Sequence, residues 1–216
     1  MSAIGPFPHP AAGVQPAPPP ALSADQQTKY EELLAAAKAW ETLPKTSIKG
    51  AETAPLADSE RMWLTRECIL RYLRATKWNV ASATKRLQDT LIWRREFGTE
   101  GFTAEYISEE NATGKQVLLG FDKEGRPCLY LLPNKQNTPN SPKQVQHLVY
   151  MLEKTIAVAP PGQESLALLI DFRNSSSGTQ PSISTSRQVL SILQNHYPER
   201  LGRALITHCE SPISSC

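Results

Sequence analysis

The sequence predicts an α/β protein, with an N-terminal helical bundle followed by an incomplete α/β domain. Three observations lead there. Apolar residues recur at helical spacing through residues 23–100. From residue 115 short apolar runs and helical stretches follow in the order strand, helix, strand, helix, strand, which implies an α/β sheet. After residue 208 the periodicity stops, so the sheet is expected to lack its closing elements.

The N-terminal part reads as follows. Residues 1–22 hold seven of the 18 prolines and end in Pro18-Pro19-Pro20. That composition predicts a disordered, extended tail, with a ligand for a proline-reading domain as the alternative. Ser23 and Gln26 have capping-box spacing, and Tyr30, Leu33, Leu34 and Ala37 give one helical face up to about Trp40. Pro44 and Pro55 bracket a loop. One helix is expected over 58–76, carrying Leu64, Cys68 and Tyr72 with Ile69 and Leu73 beside them. Asn79 can cap a third, striped by Val80, Ala83, Leu87 and Leu91 and ended by Gly98.

The C-terminal part begins with a hairpin. Val117-Leu118-Leu119 and Cys128-Leu129-Tyr130-Leu131 flank the turn signal Asp122-Lys123-Glu124-Gly125. Residues 142–158 have helical spacing, and Pro160-Pro161-Gly162 breaks it. Leu166 to Ile170 is the continuous apolar run of a buried central strand. A Ser-rich loop from Asn174 to Ser184 precedes a helix over 185–196, and Ala204-Leu205-Ile206 makes a last strand.

Bulk properties exclude several functions. Net charge is +2, without the basic field of a nucleic-acid binder. Cys68, Cys128, Cys209 and Cys216 form no CxxC pair and no zinc-ligand spacing, which points to a reducing compartment and no metal. No apolar run approaches a membrane span, and no signal peptide is seen. A cytoplasmic protein with peripheral association to internal membranes is expected. There is no GxGxxG, P-loop or GxSxG, so no cofactor follows. Asp171 lies at a strand end without a nearby His or acidic partner in sequence, and His196 and His208 are isolated. No catalytic residue is expected.

Four segments together resemble one family. Residues 68–78 read CILRYLRATKW, 122–130 read DKEGRPCLY, 166–172 read LALLIDF and 195–202 read NHYPERLG. Over about 58–208 the chain resembles the CRAL-TRIO lipid-binding family, in particular the fungal phosphatidylinositol-transfer proteins of the pleiotropic-drug-resistance-like branch. With the disordered tail read from composition over 1–22, the resemblance implies an N-terminal helical region over 23–100, a partial lipid-binding domain over 101–208 and a tail outside the family over 209–216. It implies one lipid held in a pocket and exchanged at a bilayer, with no bond made or broken. The expected ligands are phosphatidylinositol and a sterol. The alternative is a truncated, non-transferring regulatory or protein-interaction fragment.

The resemblance also marks residues. Lys77 matches a basic residue of the inositol headgroup site; a lysine brings a compact charge to an anionic phosphate, although most lysines are simply solvated. Glu199 matches a headgroup contact, and a carboxylate accepts from inositol hydroxyls. Arg200 beside it binds phosphate or holds that carboxylate, or the two form a structural pair. The position before Lys77, often arginine in the family, is Thr76. Leu166 and Leu168 stand where relatives that carry phosphatidylcholine have hydroxyls, and with Ile170 they are expected to line the pocket. Leucine offers the choline phosphate no donor but suits a flat sterol. The family continues past the last strand, whereas residues 209–216 read CESPISSC, so the expected ending is that of a truncated isoform.

Overall fold

The computed structural model describes residues 9–176, 178–179 and 181–208. Contacts divide the chain into two units. The helical unit is Pro20–Gly101 with Ile192–Glu199; the sheet unit is Phe102–Ser191 with the N-terminal arm up to Pro19 and the segment from Arg200 onward. Beyond the 23–100 expected from sequence, the helical unit therefore takes in residues 20–22, Gly101 and the eight residues Ile192–Glu199.

Helix α1, Ala24–Lys38, opens on the expected capping box, with Ser23 accepting from the Gln26 amide and Gln26 returning the bond. The stretch expected as one helix over 58–76 is two. Helix α2, Asp58–Trp63, stops because the Thr65 hydroxyl accepts from the Cys68 amide at 3.1 Å and starts α3, Arg66–Ala75. Helix α4, Val80–Phe97, is capped by Asn79 and ended by Gly98 in the left-handed conformation. Leu33, Ile69, Leu73 and Leu87 are fully buried between α1, α3 and α4, each contributing about 1.5–3 kcal/mol.

The loop expected between Pro44 and Pro55 is a hairpin of β1, Thr42–Pro44, and β2, Thr53–Pro55. Arg95 of α4 holds it. Its guanidinium donates to the Leu43 carbonyl at 2.6 Å and the Pro55 carbonyl at 3.0 Å, and pairs with Glu60 of α2 at 2.5 Å.

The end of helix α7, Ile183–His196, is gripped by α3 and α4. Arg86 donates to the Asn195 carbonyl at 3.1 Å and also to that of Gln194, and the Tyr72 hydroxyl lies 3.1 Å from the His196 carbonyl. These are carbonyls a helix C-terminus leaves open, and a cation suits the negative end of its dipole. His196 Nδ1 lies 3.1 Å from Thr90 Oγ1, and its ring stacks on Trp93.

In the sheet unit, helix α5, Ala104–Asn111, precedes β3, Gln116–Phe121, β4, Pro127–Leu131, helix α6, Pro142–Ala157, strand β5, Leu166–Asp171, and strand β6, Leu201–Thr207. The sheet order is β3-β4-β5-β6; β3 and β4 form the expected antiparallel hairpin, and the remaining pairings are parallel. Its turn is closed by the Asp122 carboxylate, which accepts from the Glu124 and Arg126 amides, with Gly125 at φ 74°. Arg126 goes beyond turn chemistry: it binds Asp122 and Glu124 and donates to Ser165 Oγ at 3.1 Å. Helix α6 packs on β3 and β4. Glu110 and Lys115 form a buried ion pair, and Lys115 also donates to Gln136 at 2.6 Å. Every residue of β6 is exposed.

Part of the tail expected over 1–22 lies against the sheet unit. Val14 and Pro10 lie over Gly125, and Pro16 lies over Gly162. Gly125 is buried although it sits at a hairpin tip. Prolines lose little entropy when an extended segment docks, which offsets the small contact area. Residues 1–8, and the tail with Cys209 and Cys216, lie outside the described residues. Cys68 and Cys128 are buried, at 2% and 6% exposure, as small core residues.

Candidate functional site

Helix α3 ends because the Thr76 hydroxyl turns back to the carbonyls of Tyr72, at 2.9 Å, and Leu73, at 3.2 Å. Thr76 is thus spent on its own helix. Lys77 and Trp78 then adopt the left-handed conformation consecutively, at φ 52° and 62°. Such residues cost of order 1–3 kcal/mol each and persist where the surroundings over-determine them. Here the Trp78 amide donates to the Leu73 carbonyl at 2.7 Å and its ring packs on the helical core. Lys77 is exposed, with no side-chain partner among the described residues.

Glu199 lies on the turn after α7. Tyr197 and Pro198 before it are buried, and Glu199 itself is left-handed at φ 57°. Its carboxylate meets Arg74 of α3, Nε to Oε2 at 2.5 Å, with the two side chains 34% and 38% exposed. The Lys77 amide in turn donates to the Arg74 carbonyl at 3.0 Å. The helical unit therefore presents Arg74 in the last turn of α3, Lys77 directly after it, and Glu199 in contact with Arg74. Arg74 was missed in the sequence, where it is one basic residue among several in α3.

Arg200 lies in the sheet unit. Its guanidinium donates to the Glu164 carbonyl at 2.7 Å, and its own carbonyl accepts from the Leu166 amide at 2.8 Å. This anchors the entry to β5 and β6.

Strand β5 is paired on both sides, as expected of a central strand. Leu166 is 3% exposed, while Leu168 and Ile170 are half-buried. The three alternate on one face. Leu168 stands in register with Leu129 and Ala204, and Ile170 with Leu131 and Ile206. The face is aliphatic except at its β3 edge. There Gln116, paired with Leu131, carries a buried amide oxygen with no partner among the described residues.

Two further groups are structural. The pairing of Asp171 with Thr207 brings His208 onto the Asp171 carboxylate at 2.8 Å, a partner the sequence did not reveal. The Arg173 amide and then His208 hold this carboxyl below its ordinary range. An open cleft of about 460 Å³ beside β2 and α4 is lined by Lys45, Glu60, Arg94 and Arg95, all engaged: Lys45 with Glu52, Glu60 with Arg95, and Arg94 over the Trp63 ring.

The CRAL/TRIO, N-terminal domain matches residues 29–89 and the CRAL/TRIO domain matches residues 111–214. The chain belongs to the CRAL-TRIO family. It is 54% identical over 202 residues to a CRAL-TRIO domain-containing protein of Schizosaccharomyces pombe, covering 93% of this chain and 20% of that protein. It is 48% identical over 168 residues to the phosphatidylinositol transfer protein PDR17 of Saccharomyces cerevisiae, covering 72% of this chain and 48% of that one. The chain thus spans a fifth to about half of these relatives' lengths. The crystal structure of Sfh5 superposes with a TM-score of 0.64 at 16% identity, over 87% of this chain and 72% of Sfh5, so the two share a fold.

Proposed function

We propose that this protein binds phosphatidylinositol, with a sterol as second ligand, and exchanges them between membranes without catalysis. It works from the cytosol through transient peripheral contact with internal membranes and needs no cofactor. The observation that carries this reading is Lys77, an exposed cation with no side-chain partner among the described residues, on a left-handed turn that follows the Arg74 of the Arg74–Glu199 pair. A phosphodiester meets the lysine, and inositol hydroxyls donate to the carboxylate. Similarity to a phosphatidylinositol transfer protein supports the ligand class. No helix among the described residues is long and apolar enough to cross a membrane.

The sterol reading rests on β5. Leu168 and Ile170, half-buried beside the buried Leu166, offer an aliphatic face, and the Gln116 oxygen, without a partner among the described residues, offers one acceptor for a hydroxyl. A choline phosphate placed on this face loses its water without replacement, which selects against it.

The test is vesicle-to-vesicle transfer of labelled lipids. Phosphatidylinositol is expected to move and phosphatidylcholine to lag, with Leu166→Ser plus Leu168→Thr raising choline-lipid exchange. Lys77→Ala is expected to slow phosphatidylinositol transfer while sparing sterol, at about 1.5–3 kcal/mol for a lost charged hydrogen bond. Phosphatidylcholine moving as fast as phosphatidylinositol in the parent protein overturns the strand argument. The alternative, a non-transferring interaction fragment, is favoured by the exposed β6 and requires that no labelled lipid move at all.

A further inference from the structure

We infer that Arg74 sets headgroup selectivity by neutralising Glu199, a role that rests on the headgroup reading of the Lys77 turn. The site holds one carboxylate, Glu199, and two cations, Arg74 of α3 and Lys77 after it, while the neighbouring Arg200 guanidinium donates to the Glu164 carbonyl. Arg74 and Glu199 are in direct contact, Nε to Oε2 at 2.5 Å, whereas Lys77 has no side-chain partner among the described residues. The pair contributes no net charge, so one positive charge remains, on Lys77.

That balance discriminates between lipid classes. An anionic phosphodiester finds an unpaired cation. A zwitterionic lipid brings an ammonium group that an isolated Glu199 would attract, but Arg74 already occupies the carboxylate and repels it. A carboxylate held by a guanidinium still has lone pairs for hydroxyl donors, so a neutral polyol is accepted where an ammonium is not. Arg74 is thus a specificity-determining residue that acts through Glu199. Both side chains are about one-third exposed, so the site is accessible and its charges are only partly screened.

The sign of the argument is testable with charge variants. Labelled phosphatidylinositol, phosphatidylserine and phosphatidylcholine are transferred between vesicles by the parent chain, Arg74→Lys, Arg74→Gln, Glu199→Gln and the double variant Arg74→Gln/Glu199→Gln. Arg74→Gln leaves Glu199 cancelling Lys77, and the preference for phosphatidylinositol over phosphatidylcholine is expected to fall roughly tenfold. Arg74→Lys is expected to keep most of it. The double variant restores the charge balance, so preference for anionic over choline lipid returns. Preference for inositol over serine does not return, because the hydroxyl acceptor is gone. Rescue by a second lesion is not the behaviour of a damaged fold.

An unchanged ratio in Arg74→Gln, or equal loss in the single and double variants, overturns the inference. If Arg74→Gln does not fold, Glu199→Gln decides: faster transfer of both anionic lipids with loss of the inositol preference supports the role, and no change removes it. A parent protein that shows no preference for phosphatidylinositol refutes the headgroup reading itself, and the role of Arg74 with it.

Discussion

The imidazole of His196 lies flat on the indole of Trp93, with ring centroids 4.2 Å apart and planes 5° from parallel. Burial, and then the nearby Arg86 charge, hold its pKa down to about 4, against a smaller opposing pull from Asp89. His147 of α6 is fully buried and is likewise held to about 4, first by burial and then by Lys115, with Glu110 opposing. Both lie below the ordinary 6.5. As pH falls through 6.5 the unfolded chain takes up these protons and the folded chain does not. Stability from both groups is therefore full above about 6.5, is lost between there and 4, and is level below. Each contributes about 2 kcal/mol after allowance for solvent screening. Urea unfolding is expected to show a lower midpoint at pH 4.5 than at pH 7, with His196→Gln reducing the difference. Equal midpoints refute it.

Gly202 is required by Arg126. A methyl group there would overlap the Arg126 Nε and Cδ and the Ser165 Oγ, and Arg126 is already held by Asp122 and Glu124. Gly202→Ala is expected to destabilise by about 1–3 kcal/mol in thermal unfolding. Combining it with Arg126→Ala is expected to cost less than the sum of the two, because one lesion makes room for the other. Strict additivity would contradict this packing.

The N-terminal arm protects the hairpin tip. Deleting residues 1–19, or replacing Val14 with Asp, is expected to speed hydrogen exchange at the Gly125 and Gln163 amides, which form the turns beneath the arm. Exchange elsewhere in β4 should be unaffected. Unchanged rates at both amides would show that the arm does not dock in solution.

Strand β6 is expected to act as an association surface in this chain. Leu201, Leu205 and Ile206 are 58%, 49% and 53% exposed, and among the described residues β6 pairs only with β5. Apolar edges of this kind pair with other chains. Sedimentation is expected to show self-association that rises with concentration and is reduced by Leu205→Lys. A chain that stays monomeric at every concentration tested rules this out.

Local signals were legible and distant ones were not. The Ser23 capping box, the Asn79 cap, the Gly98 stop and the β3–β4 turn each reside within a few residues, and each was read from sequence. The apolar run of β5 also sufficed, because a strand paired on both sides is apolar throughout. The hairpin of β1 and β2 escaped notice because each strand has three residues and its carbonyls are held by Arg95, about 40–50 positions away. Helix α5 was missed because, of its eight residues, only Ile107 and Glu110 are buried, which leaves no apolar stripe. Of the candidate site, Lys77 and Glu199 were legible through family motifs, but the Arg74–Glu199 contact spans 125 positions and has no local sign.

The grip of Arg86 and Tyr72 on the end of α7 fixes the order in which the chain can mature during synthesis. Helices α1 to α4 leave the ribosome first, yet Tyr72 reaches its partner at His196 only after 124 more residues. Until then the Trp93 face and the Arg86 guanidinium lack their partners at 194–196, and the first helices wait as an unfinished assembly. Closing so long a loop is slow, and exposed apolar surface invites chaperones in the interval. A nascent chain stalled before residue 192 would therefore expose the same helices that the finished protein keeps closed.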